Sequence, residues 1–499
     1  MTMNRTWQPA GPPRSAPATG AARRPRSPAP PRRALAVLHI GVFMAVLDTF
    51  IVVVAAPAVQ DGLGASDSDV QLVLAGYQLT YAVALITGAR LGDRFGRRRC
   101  FIIGVSVFTL ASAACAVAPG PGALIAARLV QGLGAAVMFP QVFATIQTLL
   151  PPEQRPRAFG MLGAVIGAAG VCGQILGGLL LSADLFGASW RPVFWVNVPI
   201  GLITLALTAV LVPESRHPDD HRLDLAGMAV LTLALTLLIV PVIAGREAGW
   251  PVWSRISPAA GALALIAFAA VERRVEARGG SPLLRLGLLR TRAFAVGMLL
   301  ILLTYCGINS FFLVLSVTLQ DGLGLDPLSA GLFYLPFAAA FLAGSLAAGR
   351  SARYGLRLLQ AGALILALGH AAALAVVACS GDSLTPWFLA GPLLVVGAGN
   401  GVLVTPLLNA VLSRVRPAET GMASGVLSTG QQIGGSGGVA VVGVIFYGTL
   451  GRGGHRDASA YGHALTASLV LCLALAVAVS ALVSLLPPTG QEPRRPPGL

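Results

Sequence analysis

Long apolar runs, joined by short polar connections, fill the chain from residue 35 to residue 486. A helix that crosses a bilayer needs about 20 mostly apolar residues, each rising about 1.5 Å. By that measure fourteen stretches read as membrane-spanning helices. They lie near 35–58, 71–91, 101–119, 122–146, 158–181, 192–212, 224–244, 257–272, 293–319, 328–349, 358–379, 385–411, 419–447 and 463–486. The eighth is the shortest. Twelve is the alternative count if 224–272 is misread, and it leaves both chain ends on the same side.

The polar connections alternate in charge, which tests the count. Connections expected on the cytoplasmic side carry Arg94 and Arg97 to Arg99, then Arg155 and Arg157, Arg216 and Arg222. Arg273, Arg274, Arg278, Arg285, Arg290 and Arg292 follow, then Arg350, Arg353 and Arg357, and Arg414 and Arg416. Connections expected outside carry Asp61, Asp67 and Asp69, then Asp321 and Asp326, then Asp382. Arg191, Arg246, Arg255, Arg452 and Arg456 are the exceptions. Short loops rich in Arg stay inside, so both termini are expected in the cytoplasm of a cell-membrane protein.

Composition agrees with a lipid solvent. Only 11% of the 499 residues are charged, against about 25% in soluble domains. A net charge of +15 would point to nucleic acid in a soluble chain; here the loops account for it, and no nucleic-acid partner is expected. Every basic side chain among them is Arg. Residues 1–34 form a Pro-, Ala- and Arg-rich tail without an acid, expected to be disordered; residues 487–499 form a second tail. The six cysteines are scattered, mostly within apolar runs and without metal-ligand spacing, so neither a disulfide nor a metal site is expected. No G-x-x-x-x-G-K-[ST] run is present, so no ATP and no other cofactor is expected.

The turn between the second and third runs reads G-A-R-L-G-D-R-F-G-R-R-R, Gly88 to Arg99. Leu91, Asp93, Arg94, Gly96, Arg97 and Arg98 match the signature loop of the major facilitator superfamily, which the chain resembles there. A weaker echo, G-R-S-A-R-Y-G-L-R from Gly349 to Arg357, stands between the tenth and eleventh runs. The first run reads L-D-T-F-I-V-V-V-A-A-P, with Asp48 about ten residues, roughly 15 Å, from its outer end. It resembles the first-span motif of the exporter branch, with Phe50 and Val53 in place of the usual Thr and Asn. In the fourth run, L-I-A-A-R-L-V-Q-G-L-G-A-A places Arg128 at a similar depth and matches the family's Arg motif, including Gln131, Gly132 and Gly134. The fifth run carries Gly173, Gly177 and Gly178, three residues of the antiporter motif, with Gln174 in place of its Pro. W-R-P-V-F-W-V-N-V-P-I-G from Trp190, Asp224 with Leu225 and Gly227, and Gly421 to Gly438 resemble the fourteen-span drug:proton antiporters.

The resemblance implies an all-α integral membrane protein with the major facilitator fold. Two six-helix bundles, 35–212 and 293–486, would flank a linker, 213–292, that holds two extra central helices. It implies a monomeric, proton-coupled antiporter that exports amphipathic small molecules such as drugs or antibiotics by alternating access. Ionisable groups at midplane depth are expensive and functional, so Asp48 and Arg128 are expected to couple the proton. Arg128 keeps its proton, so its part is electrostatic. Asp93, Arg94, Gly96, Arg97 and Arg98 are expected to form the cytoplasmic gate. Tyr77, Gln78, Tyr81, Gln131, Gln141, Asn309, Asn400 and Gln431 are candidate pocket residues. Two rivals stand beside this reading: proton-coupled uptake of a metabolite, and a membrane-embedded transferase. The transferase would need clustered Asp or His at one membrane face, and His217, His221, His455 and His463 have no acid-rich motif beside them.

Overall fold

With no water in the hydrocarbon, a backbone must satisfy its own N–H and C=O groups, and a helix does so within one segment. Each apolar run accordingly folds as helix in the computed structural model. It describes residues 31–215, 224–280, 282–351, 354–380, 384–412, 420–451 and 458–486. Among these residues all regular structure is helical. Fourteen helices are long and apolar enough to cross a membrane: α1 (Arg32–Leu63), α2 (Asp67–Phe95), α3 (Arg97–Ala116), α4 (Pro121–Leu149), α5 (Arg157–Ser182), α6 (Pro192–Leu211), α7 (Leu225–Glu247), α8 (Val252–Ala277), α9 (Arg292–Gly322), α10 (Pro327–Arg350), α11 (Leu356–Ser380), α12 (Pro386–Leu412), α13 (Ala423–Leu450) and α14 (Ala458–Val483). The chain is a multi-pass membrane protein of fourteen spans. The helix carrying α1 begins at Pro31, inside the stretch read from sequence as tail. The tail calls outside 31–486, and Arg216, His217, His221, Arg222, Arg353, Asp382, Arg414, Arg416, Arg452, His455 and Arg456, lie outside the described residues.

Within α1–α6, α4 packs on α2 and α3, α1 on α5, and α6 on α1 and α3. Within α9–α14, α12 packs on α10 and α11, α9 on α13 and α14, and α11 on α14. α7 and α8 pair with each other, and α7 leans on both α2 and α13. α8 is the least buried span, at 17% of its most apolar window.

The first and last six helices meet along two seams. At α2 and α13, Ser436 donates to Ala75 O at 3.1 Å and Thr429 to Ala82 O at 3.2 Å. The α1/α5 and α9/α10 seam is tight at the end of the molecule away from Asp93. There Ser316 donates to Val53 O at 3.1 Å, Gln320 to Val54 O at 3.0 Å, and the Leu328 amide to Ser182 Oγ at 3.1 Å. Glycines along α5 gauge how the packing changes toward the other end. A Cβ on Gly178 would sit 2.8 Å from Leu328 Cα, and one on Gly173 2.8 Å from Leu47 O. On Gly170 it would be 3.3 Å from the Phe50 ring, and on Gly167 4.0 Å from Phe341. On Gly163 and Gly160 it would meet nothing within 4 Å. Small residues let helices touch backbone to backbone, and here the α5/α10 contact loosens from Gly178 to Gly167, toward the Asp93 end, while Gly173 and Gly170 pack on α1.

Candidate functional site

Asp48 and Arg128 meet. Arg128 Nη1 lies 2.5 Å from Asp48 Oδ2, with the two side chains 1% and 0% exposed. A buried pair is tolerated only when its remaining hydrogen-bonding capacity is also met, and here both carboxylate oxygens and the guanidinium Nε and Nη1 are engaged. Gln131, one turn along α4, donates to Asp48 Oδ1 at 2.9 Å and accepts from Arg128 at 2.8 Å. Asn197 of α6 donates to the same Oδ1 at 2.8 Å and to Ser112 Oγ at 3.1 Å. Ser112 passes its own hydrogen to Phe194 O at 2.9 Å. Arg128 Nε donates to Val73 O at 3.2 Å. The Tyr77 ring lies 4.3 Å from the guanidinium carbon, in the cation–π range. Cys115 points its thiol at Gln131 Oε1, 3.7 Å away. Five helices thus converge on one carboxylate–guanidinium pair, and all of Asp48's oxygens are engaged.

The basic turn is a second cluster. Asp93, near the end of α2, accepts from Arg97, the first residue of α3, at 2.9 Å. Arg97 also donates to Thr148 Oγ1 at 2.8 Å and Ala144 O at 3.1 Å on α4, and its amide donates to Ser215 O at 3.0 Å. Gly96 sits at φ 103°, in the region that favours glycine, which lets α2 stop and α3 start with one residue between them. Arg98 donates from its amide to Glu214 at 3.2 Å and from its side chain to Ala209 O. Arg99 lies 3.8 Å from Glu214. Arg94 turns back over the Phe95 ring, at 5.2 Å.

The eight candidate pocket residues scatter. Gln131 and Tyr77 belong to the ion pair. Tyr81 packs edge-on against Tyr77 and Phe139, at 6.0 and 5.8 Å. Gln141 donates to Gly88 O and Val137 O, both at 2.8 Å, and so ties α4 to α2. Gln78 donates to Asn309 Oδ1 at 2.9 Å, bridging α2 and α9. Gln431 donates to the Tyr305 hydroxyl at 3.0 Å. Asn400 borders a cavity among α9–α12 and α14. Sequence reasoning missed Asn197, Ser112 and Cys115 as partners of the pair, and Glu214 as the anchor of Arg98 and Arg99. The polar Asn197 inside an apolar run was the available signal for the first.

Gly173 and Gly177 of α5 press on α1, while Gly178 presses on α10. Gln174, in place of the motif's Pro, leaves α5 helical throughout. Among the described residues no group of three or more His, Cys, Asp or Glu is placed to hold a metal ion.

The sequence model described as the Major Facilitator Superfamily matches residues 38–439. The chain is 41% identical over 420 residues to the probable actinorhodin transporter of Streptomyces coelicolor, covering 84% of this chain and 73% of that protein. It is 36% identical to the puromycin resistance protein pur8 of Streptomyces alboniger, over 83% and 82% of the two chains. It is also 36% identical to the cephamycin export protein CmcT of Amycolatopsis lactamdurans, over 89% and 90%. Among solved structures it matches the xylose transporter XylE of E. coli with a TM-score of 0.63 at 14% identity, covering 93% of this chain and 99% of that one. A POT family transporter in complex with a thioalcohol-conjugated peptide matches with a TM-score of 0.66 at 14% identity, over 91% and 95% of the two chains.

Proposed function

The chain belongs to the major facilitator superfamily, and on that footing we propose that it is a proton-driven exporter of amphipathic, antibiotic-like small molecules. The relatives named for actinorhodin transport, puromycin resistance and cephamycin export support the direction and the substrate class. The observation that carries the coupling is the Asp48–Arg128 pair, held at 2.5 Å with almost no exposure. Asp48 is the fully buried carboxylate of α1–α6, against 8% exposure for Asp67 at the start of α2, and it lies at the depth where a charge is expensive and functional.

Residues 35–212 and 293–486 act as two bundles around a central path, with 213–292 an added pair beside the α2/α13 seam. Both termini are cytoplasmic, so the Asp93 end faces the cytoplasm. The tight α5/α10 contact then closes the outside, and the loosening along α5 opens the path inward. Arriving at Asp48 from outside, a proton neutralises the carboxylate and releases Arg128 to its other partners, Gln131, Val73 O and the Tyr77 ring. That exchange loosens α1 from α4 and α6 and lets the bundles rock. Asp93 and Arg97 latch α2 to α3 and α4 on the cytoplasmic side while Glu214 holds Arg98. The protein works as a monomer in the cell membrane and takes its energy from the proton gradient rather than from ATP.

The test is transport of ethidium into inverted membrane vesicles under an imposed gradient, acid inside. Wild type accumulates the dye, and Asp48→Asn abolishes accumulation while the protein still inserts. Dye accumulation by Asp48→Asn equal to wild type would sink the coupling role. Accumulation only with the gradient reversed would establish uptake instead of export.

A further inference from the structure

Two carboxyl groups face each other at the Asp93 end of the added helix pair. Asp224 caps the start of α7, where its Oδ1 accepts from the Gly227 amide at 2.8 Å. Glu272 lies near the end of α8, where its Oε2 accepts from the Leu284 amide at 2.9 Å. The two residues are 8% and 0% exposed. Each carboxyl thus has one oxygen fixed by a backbone N–H. The other two oxygens, Asp224 Oδ2 and Glu272 Oε1, have no hydrogen-bond donor among the described residues. Both press on one point: a Cβ on Gly227 would clash with Glu272 Oε1 and lie 2.7 Å from Asp224 Oδ2. The two side chains stand in hydrogen-bonding range of each other.

A carboxylate oxygen only accepts, so two ionised carboxylates cannot hydrogen-bond, and like charges in contact disfavour each other. One proton removes the conflict. An O–H on Glu272 Oε1 donates to Asp224 Oδ2, or the reverse, and both orphan oxygens are satisfied at once. The charge then balances as well. The pair carries one negative charge, and Arg90 of α2, which donates to Pro282 O, faces it with one positive charge. Arg285 and Asp93 are the charged groups that face Arg90 in turn. Two free oxygens are too few donors for a hard cation, which takes about six, whereas a proton needs two.

We propose that Asp224 and Glu272 bind one proton between them, and that this shared proton clasps α7 to α8 and to the segment at Leu284. Hydronium delivers the proton and leaves as water; the proton returns to water when the pair ionises. Its loss leaves two carboxylates in contact, so the clasp weakens as pH rises. The site is separate from Asp48 and stands whether or not transport is driven by protons. It makes the Asp93 end of the added helices responsive to the pH on that side.

The test is infrared difference spectroscopy of the full chain in lipid nanodiscs, which reads the C=O stretch of protonated carboxyls, with thermal unfolding beside it. The pH runs from roughly 4 to 9, from the ordinary carboxyl range to that of buried acids. The expected result is a protonated carboxyl that persists more than one pH unit above the ordinary glutamate value of about 4.3, at least a tenfold gain in proton affinity. Glu272→Gln and Asp224→Asn should each remove it. In each variant the backbone amide claims the new side chain's oxygen, so its NH2 faces the other carboxylate in the proton's place. The unfolding midpoint of each should therefore depend less on pH than that of wild type, and at the alkaline end it should be no lower. Asp224→Asn combined with Glu272→Gln turns two NH2 groups on each other and should unfold earlier than either single variant at every pH. No protonated carboxyl above the ordinary range, a band that survives Asp224→Asn, or a double variant as stable as the single ones overturns the shared proton.

Discussion

Two buried polar clusters draw on the same helices in each set of six: the first, third and fourth. In α1–α6 they are Asp48, Ser112 and Arg128, with Asn197 added from α6. In α9–α14 they are Thr304, His370 and Asn400. The first cluster is charged and its carboxylate is saturated, each oxygen already accepting, while Asn197 Oδ1 has no hydrogen-bond partner. The second is neutral and unsaturated: Thr304 Oγ1, His370 Nε2 and Asn400 Oδ1 have no hydrogen-bond partner among the described residues, and the three residues border one small cavity. A saturated cluster can take a new partner only by giving up a bond that it already makes, which costs free energy. An unsaturated one can gain a ligand without breaking anything.

The strongest way to break this contrast is a double-mutant cycle on the pair. Arg128→Met leaves Asp48 buried without its counter-ion, and Asp48→Leu does the same to Arg128. Each should cost about 3–5 kcal/mol in thermal or denaturant unfolding. The double variant should be more stable than either single one, because it removes both charges together. Additive losses in the double variant would show that the two side chains are not paired.

Next in size is the packing along α5. Gly178→Val drives two methyl groups toward Leu328 and should cost about 1–3 kcal/mol, while locking out the closed seam. Gly163→Val adds the same atoms to open space and should change stability by less than about 0.5 kcal/mol. Equal losses would mean that the seam is as tight at the Asp93 end as at the other.

The two amides sharpen the comparison directly. Asn197→Ala takes a hydrogen bond from a carboxylate and should cost about 1.5–3 kcal/mol. Asn400→Leu removes an atom with no protein partner and should cost about 1 kcal/mol or less. Unfolding of both variants under one protocol measures the difference, and the reverse order would contradict the saturated/unsaturated distinction.

The smallest effect lies at the surface, where both clusters are out of reach. Asp326 caps α10, accepting from the Leu328 and Ser329 amides at 3.1 and 3.0 Å. Hydrogen bonds from Ser329, side chain first and then amide, hold its carboxyl below the usual range. A depressed pKa stabilises the fold above the unfolded value. The benefit disappears as pH falls through the folded value. Asp326→Ala should therefore lower stability at neutral pH by a fraction of the cap's usual worth of about 1 kcal/mol, and variant and wild type should converge in acid. A gap that persists below about pH 3 would assign the loss to something other than ionisation.

Span number, helix type and the two charged residues at matching depth, Asp48 and Arg128, were legible in the sequence. Lipid forces long apolar runs into helices, and a charge at midplane depth stands out among Val and Ala. What faces what was less legible. Gln131, Gln141 and Asn400 look alike as lone amides in apolar helices. One closes an ion pair, one staples α2 to α4, and one borders a void. That assignment depends on how each helix is rotated against its neighbours, which packing decides and a single sequence does not display. Glu214 went unnamed for a related reason: along the chain it is one acid beside a span, whereas in space it anchors Arg98 and Arg99.

The graded spacing of α5 makes that helix a lever. From Gly178 to Gly160 it runs about 27 Å at 1.5 Å per residue. With its fulcrum at the backbone contacts of Gly178, a tilt of about 10° would swing the far end by about 5 Å, a full helical pitch. On the proposed function, small adjustments at the sealed end would be magnified at the mouth, and the width of the entrance would be set some eighteen residues from where it is used.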